Sequence, residues 1–409
     1  MKILIVTQYF WPENFKVTDF ATGMAERGHD ITVLTGKPNY PLGKFFPGYG
    51  FFKKREEFLH SIRIIRSPLI TRGKGTGARL FLNYISFAFF ASITAFFRIS
   101  EKFDVIFVFE VSPITVGIPA VFLKKRFKIP MIFWVLDLWP ETVRLVGQVK
   151  NEFALNVLNR LVIYIYKWSD RILVSSRAFE ESVRSKNVAP HKIVYYPNWA
   201  EEIYSTVVPD INKYVHLMPN GFRIMFAGNI GDSQDFESIV KTADLLRDKK
   251  NIHWIVLGDG RRKQWLSNEI KKLDLETNFH LLGSFPQEEM PHFFIHCDAM
   301  LVTLRDSEIF KFTVPAKVQS YLAFGKPILA MLNGEGSSIV DESGAGITCP
   351  AGDFKRLAVN ILTFYDQEES KISAMSGKAK KYYNENFNRT FLFKKFEQLY
   401  NELQNVQNN

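Results

Sequence analysis

A proline, a lysine and a glycine set apart one segment of this chain, Val314 to Leu329 (VPAKVQSYLAFGKPIL). Pro315 favours the start of a helix, and Gly325 with Pro327 favours its end. Lys317 would then place an ammonium beside the helix N-terminus, where backbone amides and the helix dipole attract anions. The segment therefore predicts a site that binds a diphosphate and stabilises its departure.

Three turns that contain glycine precede this segment, and each follows a predicted strand. Two of them end the apolar runs RIMFAGNIG and IHWIVLGDG, and the third ends HLLG. The glycines in these turns are Gly228, Gly231, Gly258, Gly260 and Gly283. Backbone amides in such turns can face an anion. We therefore predict that the turns and Lys317 bind the same phosphates.

Carboxylates follow three other predicted strands. Glu13 follows Trp-Pro, Glu110 ends VIFVFE, and Asp137 begins DLWPE. The carboxyl edge of a parallel sheet is where α/β proteins bind ligands. Asp137 is therefore expected to orient or deprotonate an acceptor hydroxyl or to hold the donor sugar, with Glu110 as a second catalytic carboxylate and Glu13 on the acceptor side. Capping of a helix that starts at Pro140 is the competing explanation for Asp137.

The segment Lys37–Phe52 (KPNYPLGKFFPGYGFF) is rich in glycine, proline and aromatic residues. Tyr40 and Tyr49 are candidates to stack on an acceptor sugar or to lie against lipid. Packing that simply holds the loop in place is the alternative.

Apolar runs in two groups predict two parallel sheets. The first group is Lys2–Thr7, Ile31–Thr35, Ile62–Ser67, Val105–Glu110, Met131–Leu136 and Arg171–Ser175, and the second is Phe222–Ala227, Ile252–Leu257, Phe279–Leu282, Ala299–Thr303 and Pro327–Met331. Helical segments separate the runs, and a polar, irregular stretch lies between the groups. The chain is therefore expected to be an α/β protein with two doubly wound, Rossmann-like domains, residues 1–199 and 200–384.

The net charge of +10 is unevenly distributed. Residues 1–200 contain 28 Lys and Arg against 15 Asp and Glu, a net charge of +13, whereas residues 201–409 contain 24 against 27, a net charge of −3. A basic half is typical of a domain that approaches anionic lipid headgroups or a lipid pyrophosphate. The sequence lacks RNP-like, zinc-finger and helix-turn-helix patterns, so we expect no nucleic-acid partner.

Cysteine usage and the N-terminal segment predict the compartment. Cys297 and Cys349 are the only cysteines, and neither has a second ligand at zinc-binding spacing. We therefore expect a reducing environment and no structural metal. The chain enters a strand directly with MKILIVT, which predicts a cytoplasmic protein without a secretory signal.

One segment interrupts the alternation of strands and helices. Leu80–Phe97 is 18 residues without a charge, which reaches the lower bound for a membrane span. Four polar residues dilute it, so we predict a helix that is buried or partly membrane-facing rather than spanning. The basic residues before it are Arg63, Arg66, Arg72, Lys74 and Arg79, and they favour peripheral contact with an anionic membrane. An ordinary core helix beside a solvated basic loop is the alternative.

With its opening MKILIVTQYFWPE, its central VLDLWPE and its closing P-x-K-x-x-x-Y-L-A-x-G-K-P, the chain resembles glycosyltransferase family 4 over nearly its whole length. Within that family it is similar to the WbuB-like transferases of O-antigen and capsule synthesis that act on N-acetyl-L-fucosamine. The resemblance implies a GT-B fold, in which two domains face each other across a cleft and a final helix, here at about 385–409, packs back on the first domain. It also implies retaining transfer from a UDP-sugar to a polyprenyl-diphosphate-linked saccharide at the inner face of the membrane, without a metal or cofactor.

The resemblance also assigns donor-site positions, with departures from the family pattern. Two glutamates, one beside the donor sugar and one on the ribose, are replaced by Phe312 and Ser320, so that Phe312 offers its backbone and Ser320 a hydroxyl. An arginine and a lysine after the first glycine turn are replaced by Asn229 and Gln234. The remaining donor-site candidates are Val314, which opens the motif, Arg262, which follows a glycine turn, and the base-facing loop Gly283–Pro286 with Met290.

Two other functions stay open from the sequence. A UDP-sugar 2-epimerase shares the double-domain fold, but it would need several acids and histidines around the sugar. A non-catalytic, membrane-associated partner that only binds a nucleotide sugar would explain the missing carboxylates at Phe312 and Ser320.

Overall fold

The chain divides into two compact units in the computed structural model, which describes residues 1–145 and 151–408. The first unit comprises residues up to Tyr196 and again from Phe393 onward, and the second comprises Pro197–Leu392. Each unit has one sheet covered by helices. Residue 409 of the predicted terminal segment lies outside the described residues.

The first unit contains an eight-stranded sheet. Its strands are β1 (Lys2–Val6), β2 (Asp30–Gly36), β3 (Glu56–Leu59), β4 (Ile62–Ser67), β5 (Val105–Glu110), β6 (Met131–Val135), β7 (Arg171–Val174) and β8 (Ile193–Tyr195). Their order across the sheet is β3-β4-β2-β1-β5-β6-β7-β8, and only β3 is antiparallel to its neighbour. The central strands are buried on both faces, as continuous apolar runs require.

The second unit contains a six-stranded, fully parallel sheet. Its strands are β9 (Phe222–Ala227), β10 (Ile252–Leu257), β11 (Phe279–Gly283), β12 (Ala299–Thr303), β13 (Ile328–Met331) and β14 (Gly346–Cys349). The order is β11-β10-β9-β12-β13-β14. The chain reverses direction across the sheet between β9 and β12, and such a switch point is where doubly wound sheets bind ligands.

Helices connect the strands in both units. Those of the first unit are α1 (Lys16–Glu26), α2 (Gly77–Arg98), α3 (Gly117–Phe127), α4 (Glu141–Leu145), α5 (Glu152–Trp168) and α6 (Phe179–Ser185). Those of the second unit are α7 (Ile203–Thr206), α8 (Phe236–Leu245), α9 (Lys263–Lys272), α10 (Met290–Phe294), α11 (Glu308–Lys311), α12 (Ala316–Phe324), α13 (Glu335–Ser343), α14 (Phe354–Tyr365) and α15 (Glu369–Asn386). The last helix is α16 (Arg389–Asn408).

Most of α16 belongs to the first unit and packs against its sheet and α1. The rings of Phe393 and Phe396 meet Phe20 edge to face, with centroids 5.4 and 5.0 Å apart. At the surface, Arg27 donates to the Glu397 carboxylate at 2.9 Å. These contacts join the two chain ends of the first unit in one core.

Helix α2 is long and apolar enough to cross a membrane by length and composition, and it is the one such helix among the described residues. One face packs against the first unit through residues such as Phe87 and Ala91, which are fully buried. The opposite face exposes large side chains, including Phe89 at 60% and Phe97 at 77%. One face of α2 is therefore buried and the other is exposed, although both faces consist largely of apolar side chains.

Candidate active site

A cavity of about 480 Å³ lies in the second unit, beside the carboxyl ends of β9 and β10 and the start of α12. The turns after β9 and β10 contribute Gly228, Asn229, Gly258 and Asp259 to its lining, and α12 contributes Ala316, Lys317, Ser320 and Tyr321. The region after β11 contributes Ser284, Phe285, Gln287, Met290 and Phe294, and the segment before β9 contributes Glu201 and Tyr204. This volume lies within the range for small-molecule and cofactor sites.

Lys317 lies directly after Ala316 in the first turn of α12. Its side-chain amine is held by neutral groups. Its Nζ donates to Gln234 Oε1 at 2.5 Å and lies 3.5 Å from the centroid of the Phe226 ring. Burial lowers the pKa of the amine well below its usual value. The cavity therefore holds an amine that lacks an anionic partner among these contacts and that a phosphate would favour in its charged form.

Gly228 and Gly258 line the cavity, but their amides do not face it. Gly228 N donates to Leu257 O at 2.9 Å, and Gly258 N donates to Gly283 O at 2.8 Å. The expectation that these two amides bind the phosphates was wrong, because the parallel sheet continues through them.

The glycines at positions 228 and 258 are needed for close approach instead. Both have positive φ angles, 144° and 146°. A Cβ at Gly228 would lie 2.5 Å from Lys317 Cε, and a Cβ at Gly258 would lie 1.9 Å from Gly228 O. The absence of side chains thus lets the two turns stack on each other and lets Lys317 lie across the first.

The other glycines predicted to bind phosphate are Gly231, Gly260 and Gly283. They are not among the residues that line the cavity, and their backbone groups make contacts within and between the turns. Gly260 N donates to Asp259 Oδ1 at 2.7 Å, and Gly231 O accepts from Gln234 N at 3.2 Å. Gly283 ends β11 and accepts the Gly258 amide.

Arg262 is engaged by carboxylates. Its guanidinium donates to Glu237, lies 3.6 Å from Asp232, and stacks 4.0 Å from the centroid of the Trp265 ring. Glu237 also accepts from Arg305, so one carboxylate bridges two arginines. The structure thus places Arg262 in an ion-pair network outside the cavity lining.

The motif positions Phe312, Val314 and Ser320 have three different surroundings. Phe312 N donates to Ile309 O at 3.3 Å, so that this amide is occupied, contrary to the expected role of the Phe312 backbone. Val314 packs on the hydrophobic core beneath α12. Ser320 lines the cavity, and its hydroxyl donates to Ala316 O at 3.1 Å.

Sequence reasoning missed the residues that precede β9. Tyr204 is buried and stacks on Phe294, with ring centroids 5.6 Å apart and planes 6° apart. Glu201 lines the same cavity. Both come from the polar stretch between the two groups of apolar runs, where no periodicity indicates a function. Met290 and Phe285 also line the cavity, in the region where the base-facing loop was predicted.

The first unit brings Asp137 and Glu110 together. Asp137 Oδ1 accepts from Thr142 Oγ1 at 2.6 Å, and its backbone N donates to Glu110 Oε2 at 3.4 Å. Burial raises the pKa of both carboxyl groups, and the neighbouring charge of Asp137 raises that of Glu110 further. Glu110 is fully buried whereas Asp137 is half-buried, so Glu110 is placed to support Asp137 rather than to touch a substrate.

Glu13 anchors the loop Lys37–Phe52, called the aromatic loop below. Its carboxylate accepts from the backbone amides of Asn39 at 2.8 Å and Tyr40 at 2.7 Å, and burial raises its pKa to about 7. Tyr40 is 38% exposed and lies against the Arg72 guanidinium. Tyr49 donates to the Glu57 carboxylate at 3.0 Å. Of these three predicted acceptor residues, Tyr40 is the exposed one.

The basic residues before and at the start of α2 include both buried and exposed side chains. Arg66 is fully buried and pairs with Glu57 at 2.6 Å, and Arg63 pairs with two glutamates at 2.7 and 2.6 Å. The expectation that Arg66 faces a membrane was therefore wrong, because its charge is neutralised inside the unit. Lys74 and Arg79 are exposed.

Both halves of the chain match known families. Residues 15–199 match the family described as "Glycosyl transferase 4-like domain", and residues 212–382 match "Glycosyl transferases group 1". The "Probable glycosyltransferase WbjE" of Pseudomonas aeruginosa is 31% identical over 275 residues, which cover 64% of this chain and 66% of WbjE. The chain thus matches just under two thirds of the length of that relative.

Two further similarities extend over more of the chain. The "Putative colanic acid biosynthesis glycosyl transferase WcaI" of Escherichia coli K12 is 24% identical over 350 residues, 80% of this chain and 82% of WcaI. The crystal structure of Anabaena Alr3699/HepE in complex with UDP has a TM-score of 0.71 at 14% identity and covers 98% of this chain and 100% of that one. At this identity the likeness concerns the fold.

Proposed function

Because the chain belongs to the glycosyltransferases and has their GT-B fold, we propose that it transfers a sugar from a UDP-sugar to a polyprenyl-diphosphate-linked saccharide in the synthesis of a bacterial surface polysaccharide. We further propose N-acetyl-L-fucosamine or a related aminosugar as the transferred group, with retention of configuration and without a metal ion. The resemblance of the sequence motifs to WbuB-like transferases supports these finer points.

The observation that carries the proposal is the position of Lys317 in the cavity. The amine lies among Gln234, Phe226 and Gly228, at the start of a helix whose dipole favours an anion. A leaving diphosphate would supply the negative charge that these neutral partners lack. Charge stabilisation of this kind, formed before the reaction, is a large contribution to catalysis.

Two of the comparisons support a UDP-sugar as the donor and a role in polysaccharide synthesis. The Anabaena protein of the same fold was crystallised with UDP, and the name of WcaI refers to colanic acid biosynthesis. Apolar Met290 and Phe285 on one wall of the cavity are suited to pack on a planar base such as uracil.

In the first unit, Asp137 is the candidate to orient or deprotonate the acceptor hydroxyl. It is half-buried at the carboxyl end of β6, and burial raises its pKa toward the range in which a carboxylate accepts a proton readily. The Thr142 hydroxyl and the Glu110 carboxyl hold it in one orientation.

The exposed face of α2 supports peripheral binding to the inner face of the cytoplasmic membrane. A groove of about 490 Å³, lined almost entirely by apolar side chains, runs along this face and the neighbouring α3. The large exposed side chains of α2 are Phe81, Leu82, Ile85, Phe89, Ile93, Phe96 and Phe97. So many apolar side chains on one face exceed the scattered exposure that is normal on a soluble surface.

Basic residues flank this apolar face, which makes an anionic lipid surface the occupant that fits it. The aromatic loop joins α2 through a contact between Phe51 and Phe90, whose ring centroids are 5.3 Å apart. Next to this contact the loop exposes Phe52 among the exposed cations Lys53, Lys54 and Arg55, and Lys74 and Arg79 lie at the start of α2. Apolar insertion combined with lysine and arginine is typical of interfacial binding.

The first experiment is a thermal-shift series with UDP, GDP, ADP and UDP-N-acetylaminosugars on the wild-type protein and Lys317→Ala. A ligand at 100 times its Kd adds about 2.7 kcal/mol of stability, so selective stabilisation by uridine nucleotides in the wild type alone is expected. Transfer onto a polyprenyl-diphosphate saccharide by wild type but not by Lys317→Ala would distinguish an enzyme from a binding partner. No shift with any nucleotide would contradict the donor site.

A further inference from the structure

Arg72 lies between β4 and α2, in the segment that joins the sheet of the first unit to its apolar helix. Its guanidinium lies over the ring of Tyr40, with the central carbon 4.8 Å from the ring centroid. Arg63 and Arg66, the preceding arginines on β4, pair with glutamates. Among the residues that the structure describes, Arg72 forms no such ion pair. Contact with a neutral ring leaves the N–H groups at the edge of the guanidinium available to an anion.

We propose that Arg72 binds the diphosphate of the lipid-linked acceptor. The inference rests on the proposed function, because it concerns the acceptor of that transfer. It concerns the first unit, whereas the donor cavity lies in the second. The ligand is a phosphate ester attached to a hydrocarbon chain, and a planar guanidinium can donate two parallel hydrogen bonds to its phosphate oxygens.

The backbone around Arg72 is fixed to the aromatic loop and to α2. Arg72 N donates to Asn39 Oδ1 at 3.0 Å, and Asn83 of α2 donates to the same oxygen at 3.4 Å. Gly73 N donates to Gly43 O at 3.0 Å, and a Cβ at Gly43 would lie 1.9 Å from Gly73 O. The segment that carries Arg72 is thus held in place before a ligand arrives, which lowers the entropic cost of binding.

Tyr84 of α2 places this arginine near Asp137, the candidate base. Burial raises the pKa of the Tyr84 hydroxyl, the charge of Arg72 lowers it, and the charge of Asp137 raises it. Both charges therefore lie near the same hydroxyl. Tyr84 also meets Trp139, two positions after Asp137, with ring centroids 6.2 Å apart. In a lipid-linked saccharide the diphosphate adjoins the first sugar, so an anion site on the same side as Asp137 fits such an acceptor.

The helix that follows Arg72 offers an apolar surface for the hydrocarbon part of the ligand. Helix α2 begins at Gly77, five positions after Arg72. In its first turns Phe81 is 60% exposed and Ile85 is 41% exposed. This combination suits a lipid phosphate better than a soluble sugar phosphate. Phospholipid headgroups carry the same phosphate chemistry, and the position of Tyr84 beside Asp137 favours the acceptor over them.

The test is calorimetric titration of geranyl diphosphate and the neutral alcohol geraniol into the full chain with Lys317→Ala, which removes the lysine of the donor cavity. This parent protein is expected to bind geranyl diphosphate at least tenfold more tightly than geraniol. Adding Arg72→Gln should weaken diphosphate binding about tenfold and leave geraniol binding unchanged. Adding Arg72→Lys, which keeps the charge and loses the planar fork, should retain part of the preference. Arg160→Gln, at an exposed position of α5, is the matched control and should keep the parent's preference.

Sedimentation with vesicles that contain phosphatidylglycerol separates the two sources of phosphate. Arg72→Gln should bind these vesicles as the wild type does, because the exposed face of α2 and the cations Lys74 and Arg79 remain. A loss of vesicle binding as large as the loss of diphosphate binding would assign Arg72 to phospholipid headgroups and overturn the proposal.

Two other outcomes would overturn it. Retention of the preference for geranyl diphosphate after Arg72→Gln would exclude Arg72 as the ligand. Equal weakening of geraniol and geranyl diphosphate would assign Arg72 a structural effect on the unit. Titration of UDP into the wild type tests the proposed function separately. Failure to bind UDP, together with a preference for geranyl diphosphate that depends on Arg72, would contradict the donor site and support the diphosphate site.

Discussion

Lys317 Nζ donates to Gln234 Oε1 at 2.5 Å while it lies over the ring of Phe226, so this amine is held by an amide and an aromatic face. Neither partner carries a negative charge, which distinguishes this lysine from the surface lysines that pair with glutamate. The arrangement costs folding free energy, because a buried ammonium loses its hydration. It also leaves the charge available to an incoming phosphate.

Replacing Lys317 should therefore have opposite effects on stability and on binding. Lys317→Met keeps the length of the side chain and removes the buried amine, so we expect the free energy of unfolding at pH 7 to rise by about 1 kcal/mol. UDP affinity should fall at least tenfold, and transfer at least a hundredfold. Urea denaturation and calorimetric titration measure the two effects. A variant that loses stability and keeps UDP affinity would contradict this function of Lys317.

The stability gain of Lys317→Met should depend on pH. Burial lowers the pKa of Lys317 in the folded protein well below that of the unfolded chain. Between those two values the unfolded wild-type chain binds the proton more tightly than the folded protein does, so wild-type stability rises with pH. The difference between wild type and Lys317→Met should therefore shrink as the pH approaches 10.5, and denaturation at pH 7 and pH 10 measures it. A constant difference would contradict the lowered pKa.

Binding of UDP is expected to take up protons. A pyrophosphate beside Lys317 favours the ammonium, so the pKa that burial lowers in the empty cavity rises in the complex. Between these two pKa values the affinity should fall as the pH rises. Titrations in two buffers of different ionisation enthalpy measure the uptake. Lys317→Arg, whose guanidinium stays charged, should reduce it, and equal uptake by both proteins would assign the proton to another group.

Strands could be predicted from the sequence, and most contacts of the site could not. Every predicted strand appears within one residue of its expected ends, because buried parallel strands are continuous apolar runs. Strands β3, β8 and β14 were missed. They lie at the edges of their sheets, where half-exposed residues break the apolar pattern.

Charged residues were the hardest to place from the sequence. Arg66 reads as a surface cation, yet it is fully buried against Glu57, nine positions earlier in the chain. The contribution of Glu201 to the cavity depends on how the segment before β9 meets α12, more than 100 positions later. Composition and periodicity describe local structure, so pairings between distant segments leave no pattern that they can detect.

Asp137 offers a test of the chemistry in the first unit. Asp137→Asn keeps an oxygen for the Thr142 hydroxyl but removes the base, so we expect kcat to fall by a factor of about 10² to 10⁴. UDP affinity should be unchanged, because the contacts of Asp137 lie within the first unit. Steady-state kinetics with the saccharide acceptor and a UDP titration measure the two quantities. An unchanged kcat would remove Asp137 from the mechanism.

Thr142→Val tests how the hydrogen bond from Thr142 affects the pKa of Asp137. The hydrogen bond from Thr142 favours the carboxylate and lowers the pKa of Asp137 against the effect of burial. Its loss should raise that pKa, so the acid limb of the pH profile of kcat should move to higher pH. A limb at the wild-type position would show that another group controls the profile.

Membrane binding should depend on the exposed face of α2. The double variant Phe89→Glu/Phe97→Glu places two charges on the face proposed to contact lipid. Each of the two substitutions should contribute about a tenfold reduction in binding to anionic vesicles. Sedimentation with vesicles that contain phosphatidylglycerol measures this, and binding of the wild type should weaken in high salt. Val208→Glu, at an 88% exposed position in the second unit, is the control. Equal vesicle binding by all three proteins would contradict the proposed surface.

The stacked glycine turns should tolerate no side chain. A Cβ at Gly258 would lie 1.9 Å from the carbonyl oxygen of Gly228, and the φ of 146° is itself unfavourable for alanine. Gly258→Ala should therefore lower the free energy of unfolding by about 2 to 4 kcal/mol and weaken UDP binding, because the turn that supports Lys317 must move. Gly377→Ala is the matched control, since Gly377 lies in α15 with open space around it and should stabilise the protein by about 0.5 to 1 kcal/mol. Urea denaturation of both variants decides the matter: equal stabilities would mean that the turns are not packed against each other, and the position of Lys317 would then need a different explanation.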